Sequence, residues 1–384
     1  MLVPNKHQRT RLFQFAGTAR FAYNWALRKE ITAYDAGEKF ISNNDLRKEF
    51  TVLRNSAEYP WLRTISNNVT KQAIKDCVDA YTKFFKKMSW HPRFKSKRRG
   101  DFSFYQDTDK IRITATHVKL EAIAKSKKRN KQGLNWIRLA EHEQIPVGVK
   151  YQQPRITFDG LNWWLSVAVE FEPEKSSAPC TEAVGIDLGI KDLAVCFDGN
   201  VYPNINRTST VRKVKKKQCR LQRSISRKYE MNNKKGESYK KTCNIIKSEK
   251  KLLRLHHRLV NIRQNYRHQI TSGIIRRKPN LIVLEDLNVR GMMSNRHLAK
   301  AVQEQGFYEF RRQIEYKAAW AGLRVLIADR YYSSSKTCIA CGHVKKNLRL
   351  SERIYHCENC GNEIDRDLQA AINLQRYGEQ KLIG

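Results

Sequence analysis

Apolar positions recur every three or four residues through the first quarter of the chain. They are Leu12, Phe13, Ala16, Ala19, Ala22, Tyr23, Ala26 and Leu27, then Val69, Ala73, Cys77, Ala80, Tyr81, Phe84 and Phe85. That period predicts amphipathic helices over residues 10–90, whose apolar stripes form core. On their polar faces Asn68, Lys71, Gln72 and Lys75 can reach base edges or phosphates. From about 101 to 172 the pattern turns to strands. Trp163, Leu165, Val167, Val169 and Phe171 alternate with Trp164, Ser166, Ala168 and Glu170, and Asp159-Gly160 signals a hairpin after Ile156 and Phe158. Glu172 to Cys180 carries two prolines and two serines and reads as a linker, which places a domain boundary there.

The second half opens on a strand pair from Val184 to Val195, with Asp187 embedded in apolar residues between Gly185 and Gly189. A charge in a strand that reads as buried is costly unless it is paired or binds a metal. The two glycines are expected to let metals and a phosphate backbone approach the strand. Asp198-Gly199-Asn200 reads as a turn. Residues 211–270 hold 20 Lys and Arg against three Glu, with Leu252, Leu255, Leu259, Ile262, Tyr266 and Ile270 spaced three and four apart. One long helix, or a helical hairpin broken near Asn232 to Gly236, is predicted, with one apolar seam and one basic face. Leu281 to Asp286 is an apolar strand ending in acids. A helix over Val302 to Trp320 and a strand over Leu323 to Ala328 follow, an order that predicts an α/β sheet with crossovers. There is no internal repeat and no phosphate-binding Gly-x-x-x-x-Gly-Lys.

Charge sharpens the picture. The 384 residues include 74 Lys and Arg against 37 Asp and Glu, a formal net charge of +37. Such a chain wants a polyanion, with nucleic acid the first choice and an acidic membrane surface the second. No apolar run is long enough to span a membrane, and Met1 to Arg11 has no apolar signal core, so an intracellular protein is expected. Residues 91–100 set Arg93, Lys95, Lys97, Arg98 and Arg99 around Phe94 without an acid, a stretch suited to phosphate contact. Five scattered cysteines (Cys77, Cys180, Cys196, Cys219, Cys243) are read as free thiols.

Two sets of residues carry chemistry. Cys338-x-x-Cys341 and Cys357-x-x-Cys360 are separated by fifteen residues, and a glycine follows each pair. Four thiolates at this spacing predict one closed, structural zinc site. The second set is Asp187, Glu285 and one of Asp365 or Asp367, acids at strand ends. Phosphodiester cleavage needs an activated water and a neutralised leaving oxygen, which two divalent ions held by converging carboxylates supply. Magnesium favours such oxygen ligands. The spacing leaves open whether these acids meet, and Asp192, Asp286 and Asp365 also fit as caps or as partners of nearby bases.

Several motifs in order along the chain resemble TnpB, a family of insertion-sequence-encoded proteins similar to the type V CRISPR effector nucleases. They are Val184-Gly185-Ile186-Asp187-Leu188-Gly189, Leu284-Glu285-Asp286-Leu287, Ser334-Ser335-Lys336-Thr337-Cys338 with the four cysteines, and Asp365-Arg366-Asp367 followed by Ala370-Ala371 and Asn373. Upstream, Arg20 to Leu27 and Pro92-Arg93-Phe94-Lys95 resemble the family's first helix and basic motif.

The resemblance implies a multidomain α/β protein with an RNase H-like (RuvC) nuclease domain, an inserted zinc ribbon, a helical recognition region and a β-barrel-like wedge. Expected boundaries are 1–15 for the start of the wedge, 16–90 recognition, 91–175 wedge, 181–335 nuclease with the basic segment 211–270, 336–362 ribbon, and 363–384 the last nuclease motif and C-terminal helix. Carried over by position, Asp187, Glu285 and Asp367 match the three catalytic acids, Asp367 being chosen over Asp365 by its distance from the Ala-Ala pair. Gln369 departs from the family's usual Asn. The implied activity is magnesium- or manganese-dependent, guide-RNA-directed cutting of double-stranded DNA beside a short adjacent motif, by two-ion hydrolysis. In this scheme base pairing reads the sequence while the protein holds the backbone. The sequence does not give the oligomeric state, for which a monomer is favoured, and a place in the prokaryotic cytoplasm, associated with the nucleoid, is expected. Rival readings are a transposase with the same acids, although no clear helix-turn-helix is seen, a nuclease-dead RNA-guided repressor, and a plain RNA-binding protein with a zinc ribbon.

Overall fold

A computed structural model describes residues 1–121, 135–170, 172, 182–234, 241–349 and 352–383. The chain forms two compact units, Met1–Phe171 and Glu172–Gly384. Most of the stretch read as a linker, with Cys180 in it, lies outside the described residues.

In the first unit helix α1 (Lys6–Asp35) starts at a capping box, in which Asn5 and Gln8 each accept the other's backbone N–H. Of the residues expected to start the wedge, Leu2–Val3 form strand β1, which pairs with the strands at Trp136–Leu139 and Trp163–Val169, and those from Lys6 on belong to α1. Leu12, Ala16, Ala19, Ala22, Tyr23, Ala26 and Leu27 are buried, as the period predicts. Helices α2 (Asn43–Asn55) and α3 (Asn67–Phe85) complete the helical part. Phe13 packs edge-on against Phe102, Phe158 and Trp163, which ties α1 to the sheet. That sheet contains β1, β2 (Ser103–Tyr105), β3 (Arg112–Ile113), β4 (His117–Lys119), β5 (Trp136–Leu139), β6 (Tyr151–Phe158) and β7 (Trp163–Val169), antiparallel throughout, in the order β2-β6-β7-β1-β5-β4-β3. Its edge strands β2 and β3 are not paired to each other among the described residues. The β6–β7 turn forms where expected, because the Asp159 carboxylate accepts the N–H groups of Leu161 and Asn162 at 2.8 and 2.7 Å.

The second unit is built on a five-stranded sheet in the order β10-β9-β8-β11-β12. Strands β8 (Ala183–Leu188), β11 (Leu281–Leu284) and β12 (Arg324–Ile327) are parallel, while β9 (Asp192–Cys196) pairs antiparallel with β8 and β10 (Val201–Pro203) pairs antiparallel with β9. The basic segment is the hairpin rather than the single helix. Helix α4 (Ser209–Lys234) and α5 (Cys243–Arg276) zip together through Val211, Val214 and Leu259. After α6 (Val289–Ser294), the helix expected over Val302 to Trp320 is two helices, α7 (Ala299–Gln305) and α8 (Phe307–Trp320). The break is at Gly306, which has φ 70°. Any Cβ there would also press on the Arg267 guanidinium, which donates to the Gln305 carbonyl at 3.1 Å.

The two faces of the sheet have separate covers. Val184, Ile186, Ile282 and Leu284 pack with Ile270 and Ile274 of α5 and with Phe307, Phe310 and Ile314 of α8. The alternate residues Ala183, Leu281 and Val283 pack with Leu374 of the last helix, α9 (Arg366–Ile383). That helix crosses β8 at Gly185, where a Cβ would fall 2.1 Å from the Ala371 carbonyl oxygen and 2.4 Å from the Gln375 nitrogen. Gly185 is therefore glycine to seat a helix, not to admit a metal or phosphate as the sequence reading expected.

Two outcomes follow. Gly185→Ala forces α9 off the sheet, and the overpacking lowers stability by about 1–3 kcal/mol, measurable as a drop in Tm. Glu30 is 2% exposed, has one unpartnered carboxylate oxygen, and is pushed up from 4.5 to about 7 by burial, against the opposing pull of the Ile41 N–H. The folded chain thus retains a proton that the unfolded chain releases. Its contribution to stability is present below pH 4.5 and is lost as pH rises towards about 7. Denaturant titrations from pH 4.5 to 8 should show that loss, and Glu30→Gln should flatten it.

Candidate functional site

Strand register places the first two acids. Ile186 of β8 is opposite Leu284 of β11, so Asp187 and Glu285 are the next residues on adjacent parallel strands. By alternation Asp187 shares the Gly185 face and Glu285 the Val283 face, the side covered by α9. Asp367 lies in the first turn of α9. One end of the sheet thus collects three carboxylates from three elements separated by nearly two hundred residues.

Their electrostatics are coupled. Burial pushes the Asp187 carboxyl well above the ordinary range, and Glu285, Asp367 and Asp365 push it further, opposed by Arg366. Glu285 is raised by burial and by Asp286, again opposed by Arg366. Desolvated carboxylates that repel one another favour a proton or a cation between them. Among the described residues these acids do not form a tight ligand cluster, because only the four cysteines gather ligand atoms within 4.8 Å of one another.

The neighbouring acids are otherwise engaged. Asp365 caps α9, its Oδ1 accepting the N–H groups of Asp367 and Leu368 at 2.9 and 3.1 Å. Asp286 is held by Arg311 at 3.1 Å and by Arg330 at 2.6 Å, and Asp192 lies 3.6 Å from Lys191. Asp367 is only 3.9 Å from Arg353, a loose pair.

The ribbon stands on β13 (Ile354–His356) and β14 (Glu363–Asp365), whose last residue leads into α9. The Sγ atoms of Cys338 and Cys360 are 3.7 Å apart, and those of Cys341 and Cys357 are 3.5 Å apart. A tetrahedral zinc with bonds of about 2.3 Å sets its sulfurs about 3.8 Å apart, so the cluster fits zinc. The N–H groups of Gly342 and Gly361 fold back to the carbonyls of Cys338 and Cys357 at 3.0 and 3.1 Å. His356 pairs with Glu363 instead of joining the thiols. Helix α9 holds the ribbon's entry as well. Asn373 donates to the carbonyls of Ser334 and Thr337 at 2.7 and 2.6 Å, and Gln369 donates to that of Ser335 at 3.2 Å.

The residues proposed for nucleic-acid contact divide. Asn68 donates to Asp107, and Gln72 donates to Asp76 at 3.0 Å. Lys71 is half-buried, and Lys75 is exposed on the same helix. Lys95 turns inward, its Nζ 3.9 Å over the Tyr23 ring and its backbone held on both sides by Asn24. Arg93, Lys97, Arg98 and Arg99 remain exposed. Sequence reasoning missed a cleft at Glu285 lined by Arg290, Arg311 and Arg330, because its members come from three separate segments. It also missed Gln305, which donates to the Gly189 and Ile190 carbonyls at 3.0 and 3.3 Å and so braces the loop after Asp187. No helix among the described residues is long and apolar enough to cross a membrane.

Comparison with known proteins gives a consistent result. Residues 166–296 match the family model OrfB_IS605, described as a probable transposase, and residues 307–374 match a Cas12f1-like TNB domain. Residues 1–39 match a family model described as a helix-turn-helix domain, while in the structure a single helix spans Lys6–Asp35 there. The chain is 30% identical to the putative RNA-guided DNA endonuclease InsQ of Escherichia coli K12, over 99% of this chain and 92% of that one. It is 29% identical to a putative RNA-guided DNA endonuclease of Streptomyces pristinaespiralis, over 98% and 87%. A solved Cas12f1–sgRNA–target DNA complex shares the fold with a TM-score of 0.57 at 14% identity, over 96% of this chain and 82% of that one. With near-complete overlap at this identity, the chain belongs to the TnpB family of putative RNA-guided DNA endonucleases.

Proposed function

We propose that this protein is a transposon-encoded, RNA-guided DNA endonuclease that hydrolyses target DNA at Asp187, Glu285 and Asp367. The observation that carries the reading is the convergence of these acids on one sheet end, with Glu285 and Asp367 both raising Asp187. The sheet order, with three parallel strands and an antiparallel pair at one side, supports an RNase H-like (RuvC) assignment. Asp365 is committed to its cap, which supports Asp367 as the third acid.

Bound at these carboxylates, two magnesium or manganese ions would activate water and neutralise the leaving oxygen. The chain's own groups prepare for this. Burial and mutual repulsion keep the acids poised for cations, Arg366 moderates the repulsion, and Gln305 fixes the backbone after Asp187. The cysteine cluster, closed by four thiolates, has a structural role. Guide RNA and double-stranded target DNA are the partners the basic surface suits. The exposed Arg93, Lys97, Arg98 and Arg99 and the α4–α5 hairpin are assigned to backbone contact, and the first unit to recognition and wedge functions beside a short DNA motif.

The description of residues 166–296 as a probable transposase keeps strand transfer as the second reading. A nuclease-dead repressor fits less well, since all three acids are present.

Purified after co-transcription with its flanking DNA, the protein should carry an RNA and cut matching DNA in magnesium. Asp187→Ala should lower cutting by at least about a thousandfold, the scale set by removing a central catalytic group, and leave RNA binding intact. Absence of RNA together with unaided joining of transposon ends would establish the transposase instead. Cys338→Ser should reduce the folded yield and bring bound zinc below one ion per chain, read by elemental analysis.

A further inference from the structure

The loop that follows Asp187 is joined to the basic hairpin by a run of polar contacts. Gln305, the last residue of α7, is 2% exposed and donates its amide to the carbonyls of Gly189 and Ile190. The Ile190 carbonyl takes a second bond, from Asn204 at 2.8 Å. The closing carbonyls of α7 are capped in turn from outside the helix. That of Glu304 accepts from Asn206 at 3.2 Å, and that of Gln305 accepts from Arg267 of α5 at 3.1 Å. The Glu304 carboxylate is gripped by both arms of the hairpin, by Lys215 of α4 at 2.6 Å and by Arg263 of α5 at 3.3 Å. Arg263 also donates to the Asn206 side chain at 2.7 Å, and the Asn204 side chain accepts the Asn206 N–H at 2.9 Å. The contacts close into a circuit that leaves the loop through Gln305 and Glu304, passes Arg263 of the hairpin, and returns through Asn206 and Asn204.

Resting on the endonuclease reading, we infer that Glu304 and Gln305 are positioning residues, through which the α4–α5 hairpin fixes the backbone that carries Asp187 and so sets the affinity of the acids for their cations. Asp187 is the penultimate residue of β8, and the two carbonyls held by Gln305 come directly after the strand. Carboxylates that share cations must be held to within a fraction of an ångström, so a strand end free to shift loses metal affinity before it loses its fold. Gln305 and Asn206 are buried, and in such surroundings linked hydrogen bonds reinforce one another and act as a unit. A break at Glu304, midway between hairpin and loop, is therefore felt at the acids, although the Glu304 carboxylate itself is committed to Lys215 and Arg263.

The test loads the assembled protein–RNA complex with Fe²⁺ in place of magnesium and adds ascorbate and peroxide, so that bound iron breaks the polypeptide beside it. Wild type should give fragments ending near Asp187, Glu285 and Asp367, and Asp187→Ala should not. Gln305→Met, which keeps the side chain's length and removes its donors, should need about tenfold more iron for half-maximal fragmentation, the loss typical of a group that orients a metal ligand. Glu304→Gln, which keeps the shape and removes the charge, should shift the midpoint in the same direction; this arm stands if Gln305→Met folds poorly. The double variant should shift it no further than Gln305→Met alone, as expected of one circuit. In single-turnover cutting, the half-saturating magnesium concentration should move by the same factor, with the rate at saturating magnesium largely retained. If both variants fragment at the wild-type iron concentration, or lose only maximal rate in proportion to folded protein, the circuit is structural and the inference fails. If wild type gives no fragments at the acids, the metal-dependent endonuclease reading itself falls, and this inference with it.

Discussion

The approach of α9 to β8 at Gly185 is the contact on which the acid-bearing end of the sheet depends. Helix backbone and strand backbone come so close there that even a methyl group would overlap the Ala371 carbonyl. The contact sets the depth of the helix on the sheet, and its first turn carries Asp367 towards Asp187. The same helix pins the ribbon through Gln369 and Asn373. One rigid element therefore positions both an acid and the metal-binding module. Small residues at the contact, Ala370 and Ala371, continue the logic, since side-chain bulk would lift the helix and spread the acids.

Charge is organised against its own average. A chain with net charge +37 concentrates carboxylates at one sheet end, where burial makes their repulsion strong. Each carboxylate nearby that is not needed there has been given a partner: Asp286 two arginines, Asp365 a helix end, Asp192 a lysine. The surplus positive charge lies elsewhere, on the α4–α5 hairpin and on the run from Arg93 to Arg99. Cations spread over a wide surface suit a polyanion, while the acids are gathered at one place. Lys95 marks the limit of reading such runs as uniform, since its ammonium is used inside the fold, over Tyr23.

Much was determined by the sequence alone, where the determinants are local. The stripe from Leu12 to Leu27 is buried because a helical period places it on one side. Asp159-Gly160 makes its turn through a side chain two and three residues away from its partners, and the paired cysteines lie at a spacing that suits a metal knuckle. Tertiary structure alone decided what depends on distant partners. The register of β8 against β11 sets Glu285 beside Asp187, and the capping bonds separate Asp365 from Asp367. The break at Gly306 answers to Arg267, nearly forty residues away in the chain. Gly185 sits among apolar neighbours and shows nothing in sequence of the helix it admits. Close packing between elements has no period and no motif, because it is a property of two surfaces and not of one segment.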